Sequence, residues 1–208
     1  MPSLLDLLIP LRCAACSRPA PQGMCEPCQA AAAKLLLPAS AIEVLSPGVA
    51  AVGVYAYDGV VRDAVRGMKA AGRHAAAAPL GSLLRARAGE AAGWTITWVP
   101  STRARLRARG FDVPRALAGP GAVPVLRRTI ERPDQTSLTA AQRRDFPHDA
   151  FAAIAPAPQD VLLIDDVRTT GATAAAAAAA LQAAGAQRVL VVTLAVGGDR
   201  ARARGGTV

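Results

Sequence analysis

The amino-acid sequence predicts an open, mostly parallel α/β domain preceded by a small cysteine-rich module. Apolar strand-like segments alternate with helical segments from about residue 49 onward, which is typical of a parallel sheet. Hydrophobic residues make up 52% of the 208 residues, but aromatic residues only 3%. The core volume must therefore come from Leu, Val and Ile beneath Ala-rich helices, as in a buried sheet. All four cysteines lie within the first 28 residues.

Charge and hydropathy restrict the class of protein. The chain carries 24 basic and 15 acidic residues, a formal net charge of +9, which favours anionic partners such as nucleic acid or a polyphosphate. No segment offers the roughly 20 apolar residues that span a bilayer. The N-terminal run MPSLLDLLIP is interrupted by Asp6 and lacks the layout of a secretory signal. We expect a short amphipathic helix there, and a cytoplasmic protein with reduced thiols.

The cysteines form two C-x-x-C pairs, each of which places two thiolates on one tight turn. The pairs are Cys13 with Cys16 and Cys25 with Cys28. Two such turns facing each other supply four sulfurs at about 2.3 Å around a tetrahedral Zn²⁺. Two disulfides or one redox-active pair are the alternatives, and the absence of a secretory signal favours zinc. Four sulfurs close the coordination sphere, so we expect a structural metal that supplies most of the folding free energy of this module.

The remaining elements follow in order along the chain. We expect a helix over 30–37, a strand over 52–57, helices over 60–70 and 79–92, a strand over 94–99, a short apolar stretch at 123–125, a strand over 161–164, a helix over 172–184 and a strand over 188–196. The last three form a parallel, right-handed crossover unit. The predicted organisation is an N-terminal helix and zinc-binding module at 1–37, a linker at 38–48, an α/β domain at 49–197 and a flexible Arg/Gly-rich tail at 198–208.

The segment from Val161 to Thr173 carries the clearest chemistry. An apolar strand is expected to end at Asp165 and Asp166, and a small-residue turn then leads into a helix. Open α/β sheets bind ligands at the carboxyl ends of their strands, and a helix N-terminus behind a Gly/Thr turn offers N–H groups to an anion. The carboxylates suit ribose hydroxyls or a Mg²⁺-bound ligand. Together these groups predict a ribose 5-phosphate site.

An ordinary capped helix is the alternative interpretation of this segment. Thr169 or Thr170 would then be the N-cap residue, and the aspartates would only favour the helix dipole. A lone T-x-G-x-T pattern would favour that interpretation. The strand, the paired aspartates and the helix occur together here, and this combination favours the ligand site.

The segment resembles the phosphoribosyl-diphosphate-binding motif of type I phosphoribosyltransferases, and the order of motifs resembles one branch, the ComF/GntX-like family. The resemblance spans Leu4 to Val196 and implies the type I phosphoribosyltransferase fold. Besides the four-cysteine module, it is carried by Tyr57-Asp58-Gly59 with Arg62 and Lys69, Val99-Pro100, Arg109-Gly110-Phe111, and Gln135-Thr-Ser-Leu-Thr139 with Arg143-Arg144. Asp112-Val113-Pro114 departs from the Asn-Gln-Ala that follows Arg-Gly-Phe in this family.

The resemblance implies a role for each site residue. Asp165 and Asp166, the catalytic pair, would hold the ribose hydroxyls. The 5-phosphate would lie against Thr169, Thr170, Gly171, Ala172 and Thr173. The pyrophosphate would face Ser101, Thr102 and Arg103, with Lys69, Arg107 and Arg109 as further sources of positive charge.

The arginines at 103, 105, 107 and 109 also fit a solvated helix surface. Spaced by two, they fall on two sides of a helix, so at most about half can face one ligand. Arg168, inside the predicted loop, would either add phosphate affinity or point into solvent. His74 and His148 have no partner pattern, and we expect surface or packing roles for both.

Two functions fit these features. The first is a Mg²⁺-dependent enzyme that transfers the phosphoribosyl group from phosphoribosyl diphosphate to an unknown nitrogen acceptor. The second is a non-catalytic protein that binds phosphoribosyl diphosphate or a ribonucleotide, while the zinc module and basic face contact single-stranded DNA or a protein partner. ComF-like proteins are implicated in DNA uptake during competence, which is the source of the second hypothesis.

Overall fold

A five-stranded, mostly parallel sheet organises the computed structural model, which describes residues 11–70, 73–130, 147 and 149–198. The helices are α1 (Glu26–Ala33), α2 (Gly59–Met68), α3 (Ala77–Ala88), α4 (Arg103–Arg109), α5 (Val113–Ala118) and α6 (Ala172–Ala183), with 3-10 turns at His74–Ala76 and Gly89–Gly93. The strands are β1 (Glu43–Ser46), β2 (Val49–Ala56), β3 (Thr95–Trp98), β4 (Leu126–Arg128), β5 (Phe151–Ala153), β6 (Asp160–Arg168) and β7 (Arg188–Val196).

The strand order in the main sheet is β1-β2-β7-β6-β3. Strands β2, β7, β6 and β3 are parallel to their neighbours, and β1 pairs antiparallel with β2 at one edge. Strands β4 and β5 form a separate antiparallel pair. The predicted fold class, an open and mostly parallel α/β sheet behind a four-cysteine cluster, is confirmed.

Side chains of the central strands alternate between two cores. Leu162 and Ile164 pack into the core that contains α2, α3 and α5, whereas Val161 and Leu163 pack into the core beneath α6. Both faces of the sheet are therefore covered, which explains why β6 and β7 are apolar without a polar alternation. Ala174, Ala176, Ala177 and Ala178 of α6 are buried against the sheet, and their small side chains allow the helix to lie close to it.

Several element boundaries differ from the sequence prediction. Helix α1 begins at Glu26 and ends at Ala33, earlier than expected. The segment predicted as a linker includes β1, which gains a ladder partner in β2. The short apolar stretch at 123–125 is followed by strand β4 at Leu126–Arg128, which was not predicted and which pairs with β5. The calls on residues 1–10, 135–139, 143–144, His148 and most of the tail lie outside the described residues.

Strand β6 is longer than predicted, and this changes the setting of the aspartates. The expected strand stopped at Ile164, but β6 continues to Arg168 because β7 runs beside it as far as Val196. Asp165 and Asp166 therefore lie within a strand rather than in the turn that follows it. None of the helices in the described ranges is long and apolar enough to cross a membrane.

Arg168 does not point into solvent, since it is the buried last residue of β6 and is only 4% exposed. Its Nη1 lies 2.6 Å from Oε2 of Glu43 in β1, whose side chain is 18% exposed. The guanidinium thus lies away from solvent, and the ion pair joins the end of β6 to the edge strand. Removal of one partner from a buried ion pair lowers stability more than it does in an exposed pair, because it leaves an uncompensated charge away from water.

We expect E43Q to lower the free energy of unfolding by about 2 kcal/mol, because it leaves the buried Arg168 guanidinium without its carboxylate. D160N is the matched control, since it removes the carboxylate of the exposed Arg188–Asp160 pair. An exposed pair contributes little, so D160N should cost less than E43Q. Urea unfolding measures both, and equal losses would contradict the structural role of the Glu43–Arg168 pair.

Candidate functional site

The four cysteines converge at one point, as the sequence predicted. Their Sγ atoms, those of Cys13, Cys16, Cys25 and Cys28, all lie within 4.8 Å of one another. The Cys16 and Cys25 sulfurs are 3.5 Å apart, and all four thiols are free. Tetrahedral zinc at about 2.3 Å from each sulfur requires sulfurs about 3.8 Å apart, so these side chains fit a structural Zn²⁺.

Local backbone structure brings the two cysteine pairs together. The first pair lies on a turn in which the Ser17 N–H donates to the Cys13 carbonyl (3.0 Å) and the Cys13 N–H donates to Arg18 (2.7 Å). Cys25 is the N-cap residue of α1, which places Cys28 in the first helical turn. A hydrogen bond from the Ala14 N–H to the Gly23 carbonyl (2.8 Å) holds the segments of the two pairs against each other.

Proton affinities of the thiols indicate that the cluster suits a cation. Burial acts to raise the pKa of Cys13, but hydrogen bonds from the backbone N–H groups of Cys16, Cys25 and Ala15 outweigh it and lower the pKa to about 6. Burial and the neighbouring thiols raise the pKa of Cys28. The Cys13 thiolate is thus stabilised while the Cys28 thiol resists ionisation, and a bound Zn²⁺ would relieve the repulsion among four thiolates.

The second site lies where β3 leaves the sheet. Pairing between β3 and β6 ends at Trp98 opposite Ile164, and the Val99 N–H still donates to the Ile164 carbonyl (2.9 Å). Beyond this point, within the described part of the chain, β6 is paired with β7 alone. Among those residues, the departure of β3 leaves one side of Asp165 and Asp166 without a neighbouring strand. Such an opening at the carboxyl end of a parallel sheet is where ligands bind.

The pKa values of the two aspartates are shifted in opposite directions because their surroundings differ. Burial, followed by the charge of Asp166, raises the pKa of Asp165 well above that of an ordinary aspartate. Burial acts on Asp166 in the same direction, but the Lys69 ammonium outweighs it and lowers the pKa of Asp166. Lys69 Nζ lies 2.6 Å from Asp166 Oδ2, and the Asp166 N–H donates to Asp165 Oδ1 (2.8 Å). The structure thus brings both predicted acids and Lys69 together.

The turn that follows β6 leads directly into α6. Its N-cap residue is Gly171, with φ 78° in the left-handed region, so neither Thr169 nor Thr170 caps the helix. The only side-chain bond to the helix start among the described residues is a long one, from the Ala172 N–H to Thr170 Oγ1 at 3.4 Å. Thr169 is exposed, and Thr170 and Thr173 are half-buried. The capped-helix alternative is therefore wrong in its choice of cap, and the helix mouth remains suited to an anion.

The segment after β3 places Ser101 near the same opening. Ser101 Oγ donates to Asp112 Oδ1 (2.7 Å), and the Ser101 N–H lies 3.4 Å from Asp112 Oδ2. Burial first, and to a smaller extent the charge of Asp166, raises the pKa of Asp112. Thr102, which was expected to face pyrophosphate, is buried and caps α4 by accepting from the Arg105 N–H (3.2 Å).

Sequence analysis missed Asp112 as a functional candidate, because it was noted only as a departure from the family pattern. The available signal was a carboxylate in the segment that follows the arginine series. Asp112 lies three residues after Arg109 and directly before the short helix α5, whose second residue is Pro114. Its contact with Ser101 fixes the segment that leaves β3. Asp112 therefore belongs to the surroundings of the site through Ser101.

The arginine series divides over two sides of α4, as its spacing predicted. Arg103 and Arg107 are exposed, whereas Arg105 and Arg109 are half-buried, and no residue of α4 is fully buried. The helix thus carries a basic surface rather than a single cluster of converging guanidinium groups. His74 stacks on Phe111 with ring centroids 4.3 Å apart, which agrees with a packing role.

The cysteine cluster leads to a prediction about its metal. We expect one zinc per chain, measured by elemental analysis of protein purified without added chelator, and protection of all four thiols from a thiol reagent. The four cysteines are the only ones in the chain, so the reagent reports on this cluster alone. C16S should lose the zinc, and S17A is the control. Full thiol reactivity of native, untreated protein would contradict a structural metal.

The raised pKa of Asp165 leads to a prediction about the pH dependence of stability. The folded state binds this proton more tightly than the unfolded chain, so the wild type loses stability as the pH rises from the unfolded to the folded pKa. D165N cannot lose the proton, so its free energy of unfolding relative to the wild type should increase with pH and then level off. Urea unfolding between about pH 3 and about pH 8 measures this difference.

D160N provides a control of opposite sign for this pH series. The Arg188 guanidinium lowers the pKa of Asp160, so the wild-type pair gains stability as the pH rises towards the ordinary aspartate value. The free energy of unfolding of D160N relative to the wild type should therefore decrease over that range. A D165N difference that is independent of pH, or that follows the D160N trend, would contradict the raised pKa of Asp165.

Similarity to known proteins does not assign this site. No protein-family model matches the chain, and no curated protein sequence matches it. The family resemblance in the motif order therefore stays an expectation from the residues themselves. What the chain contains is a four-cysteine cluster suited to a metal and an α/β sheet with paired aspartates at the carboxyl end of β6.

Proposed function

We propose that this protein binds phosphoribosyl diphosphate with Mg²⁺ at the carboxyl end of β6 and transfers the phosphoribosyl group to a nitrogen acceptor. The observation that carries the proposal is the pairing of Lys69 with Asp166, beside the nearly buried Asp165 and the turn into α6. This place in the fold combines three kinds of group: acidic groups for a diol, N–H groups for a phosphate, and a cation for a second anionic group.

The ribose and its 5-phosphate account for the first part of the site. The Asp166 carboxylate, ionised because of Lys69, can accept hydrogen bonds from ribose hydroxyls. Asp165, whose raised pKa favours the protonated form, can donate as well as accept. The helix mouth from Thr169 to Thr173 offers backbone N–H groups, hydroxyl groups and the positive end of the α6 dipole to the phosphate.

Pyrophosphate accounts for the second part. Ser101, held by Asp112, follows the strand that borders the opening. Lys69 reaches the site from the end of α2, and Arg103, Arg107 and Arg109 lie on the helix that follows Ser101. Because Arg103 and Arg107 lie on a different side of α4 from Arg109, we propose that only one of these two sides contributes to pyrophosphate binding.

The reaction that fits this arrangement is a displacement at ribose C1. The bond from C1 to the pyrophosphate oxygen breaks, the acceptor nitrogen forms a bond to C1, and the acceptor loses a proton. Mg²⁺, when bound with the substrate, neutralises charge on the pyrophosphate. Asp165 and Asp166 orient the sugar hydroxyls while positive charge develops on the ring, and their contribution is positioning and electrostatic stabilisation. Lys69 stabilises the departing pyrophosphate.

Isotope-labelled phosphoribosyl diphosphate with Mg²⁺ and a panel of nitrogen acceptors tests this proposal. We expect acceptor-dependent release of pyrophosphate, and a decrease of at least about 100-fold in the double variant D165N/D166N. D160N is the matched control, since it removes a carboxylate from the opposite end of the same strand. D160N should retain wild-type turnover.

Two results would contradict the proposal at different levels. Saturable binding without turnover of any acceptor would contradict the enzymatic activity and support a non-catalytic protein that binds phosphoribosyl diphosphate. Absence of binding by zinc-loaded wild-type protein in the presence of Mg²⁺ would contradict phosphoribosyl diphosphate as the ligand. Calorimetry separates these outcomes, because it detects binding without requiring an acceptor.

A further inference from the structure

The turn that carries the first cysteine pair contacts the end of α2 through the backbone. A Cβ atom built on Gly67 would lie 1.8 Å from the Ala14 carbonyl oxygen and 2.9 Å from the Ala14 carbonyl carbon. No side chain could occupy that space without moving one of the two backbones. Glycine at position 67 thus permits the cysteine turn to lie directly on the last turn of α2.

Arg73 fixes the same contact from a second direction. Its Nη1 donates to the carbonyl oxygens of Ala14 and Ala15, each at 3.1 Å. Cys13, Ala14 and Met68 are fully buried in one core, so the cysteine turn and α2 share apolar packing as well. The position of the cysteine turn and the position of the end of α2 are therefore mechanically linked.

Lys69 lies immediately beyond this contact. It is the C-cap residue of α2, and its N–H donates to the Val65 (3.2 Å) and Arg66 (3.1 Å) carbonyls, so its backbone follows the last helical turn. A single residue, Met68, separates it from Gly67. Its ammonium, 2.6 Å from Asp166 Oδ2, is the group that the end of α2 delivers to the candidate ligand site.

We propose that the four-cysteine module positions Lys69, so that metal binding and ligand binding are coupled through the last turn of α2. Gly67 and Arg73 are the positioning residues, and the metal acts by fixing the turn that they contact. This inference rests on the proposed function for the identity of the ligand, phosphoribosyl diphosphate. It adds a role for the module beyond holding its own fold.

Coupling of this kind is reciprocal. If bound zinc raises the affinity for phosphoribosyl diphosphate by a given factor, the ligand must raise the affinity for zinc by the same factor. Couplings between sites are commonly about 5-fold to about 150-fold. We expect a change of about tenfold, since Lys69 is one of several groups that face the ligand.

Calorimetry with phosphoribosyl diphosphate and Mg²⁺ provides the first measurement. Removal of zinc and the substitution R73M should each raise the Kd about tenfold. R87M is the matched control, because Arg87 also donates to two backbone carbonyls, those of Leu37 and Pro38, but holds α3 instead of the end of α2. R87M should change the Kd less than about twofold.

A double-mutant cycle separates positioning from general destabilisation. If Gly67 and Arg73 act through Lys69, then G67A and R73M should add little further loss of affinity in a K69M background. Independent structural damage would give additive losses. R73M keeps the cycle decisive if G67A does not fold, since Arg73 is half-buried and its removal introduces no steric overlap.

Failure of this inference is distinguishable from failure of the proposed function. Zinc-loaded wild-type protein that binds no phosphoribosyl diphosphate would remove the ligand and both proposals with it. Normal ligand binding that is insensitive to zinc removal and to R73M would overturn the coupling while leaving the proposed function in place. A ligand-induced increase in zinc affinity, measured by chelator competition and lost in K69M, would support the coupling directly.

Discussion

Two adjacent carboxylates in a central strand impose the constraint on which this site depends. Asp165 and Asp166 leave bulk water together, and two neighbouring charges in that position repel each other. The surroundings act on the two groups in opposite directions: burial raises the pKa of Asp165, whereas the Lys69 ammonium outweighs burial at Asp166 and lowers its pKa. The pair therefore presents two carboxyl groups of unequal proton affinity side by side.

Much of the fold follows from patterns that the sequence displays openly. The run Val161 to Ile164 and the alanine-rich helix behind it predicted the crossover unit, and β7 agrees with the expected bounds. The extension of β6 to Arg168 was not visible, because charged residues ordinarily end an apolar strand. Pairing with β7 and burial of Arg168 against Glu43 override that local signal. Similarly, β1 was not predicted because its strand character depends on β2.

The residues of the candidate site could be proposed from the sequence, but the contacts between those residues could not. The C-x-x-C spacing identified four cysteines that do cluster, because each pair lies on one local turn. The role of Asp165 and Asp166 as ligand-binding residues stays a prediction, although the structure does place them side by side near the end of β6. Lys69 was a candidate only by resemblance, and its pairing with Asp166 depends on how α2 packs against the sheet. The roles of Thr102 as a helix cap and of Asp112 as the partner of Ser101 depend on a turn geometry that spacing alone does not determine.

The shared packing of the cysteine turn has a consequence for how the chain can be divided. Cys13, Ala14, Ala20 and Met24 are buried in the same core as Val65 and Met68 of α2, so the two parts of the chain share apolar packing. Truncation upstream of the α/β segment would uncover this apolar surface and produce an aggregation-prone fragment. We therefore expect neither part to be well behaved when it is expressed by itself, and we expect the cysteine module and the sheet to unfold together.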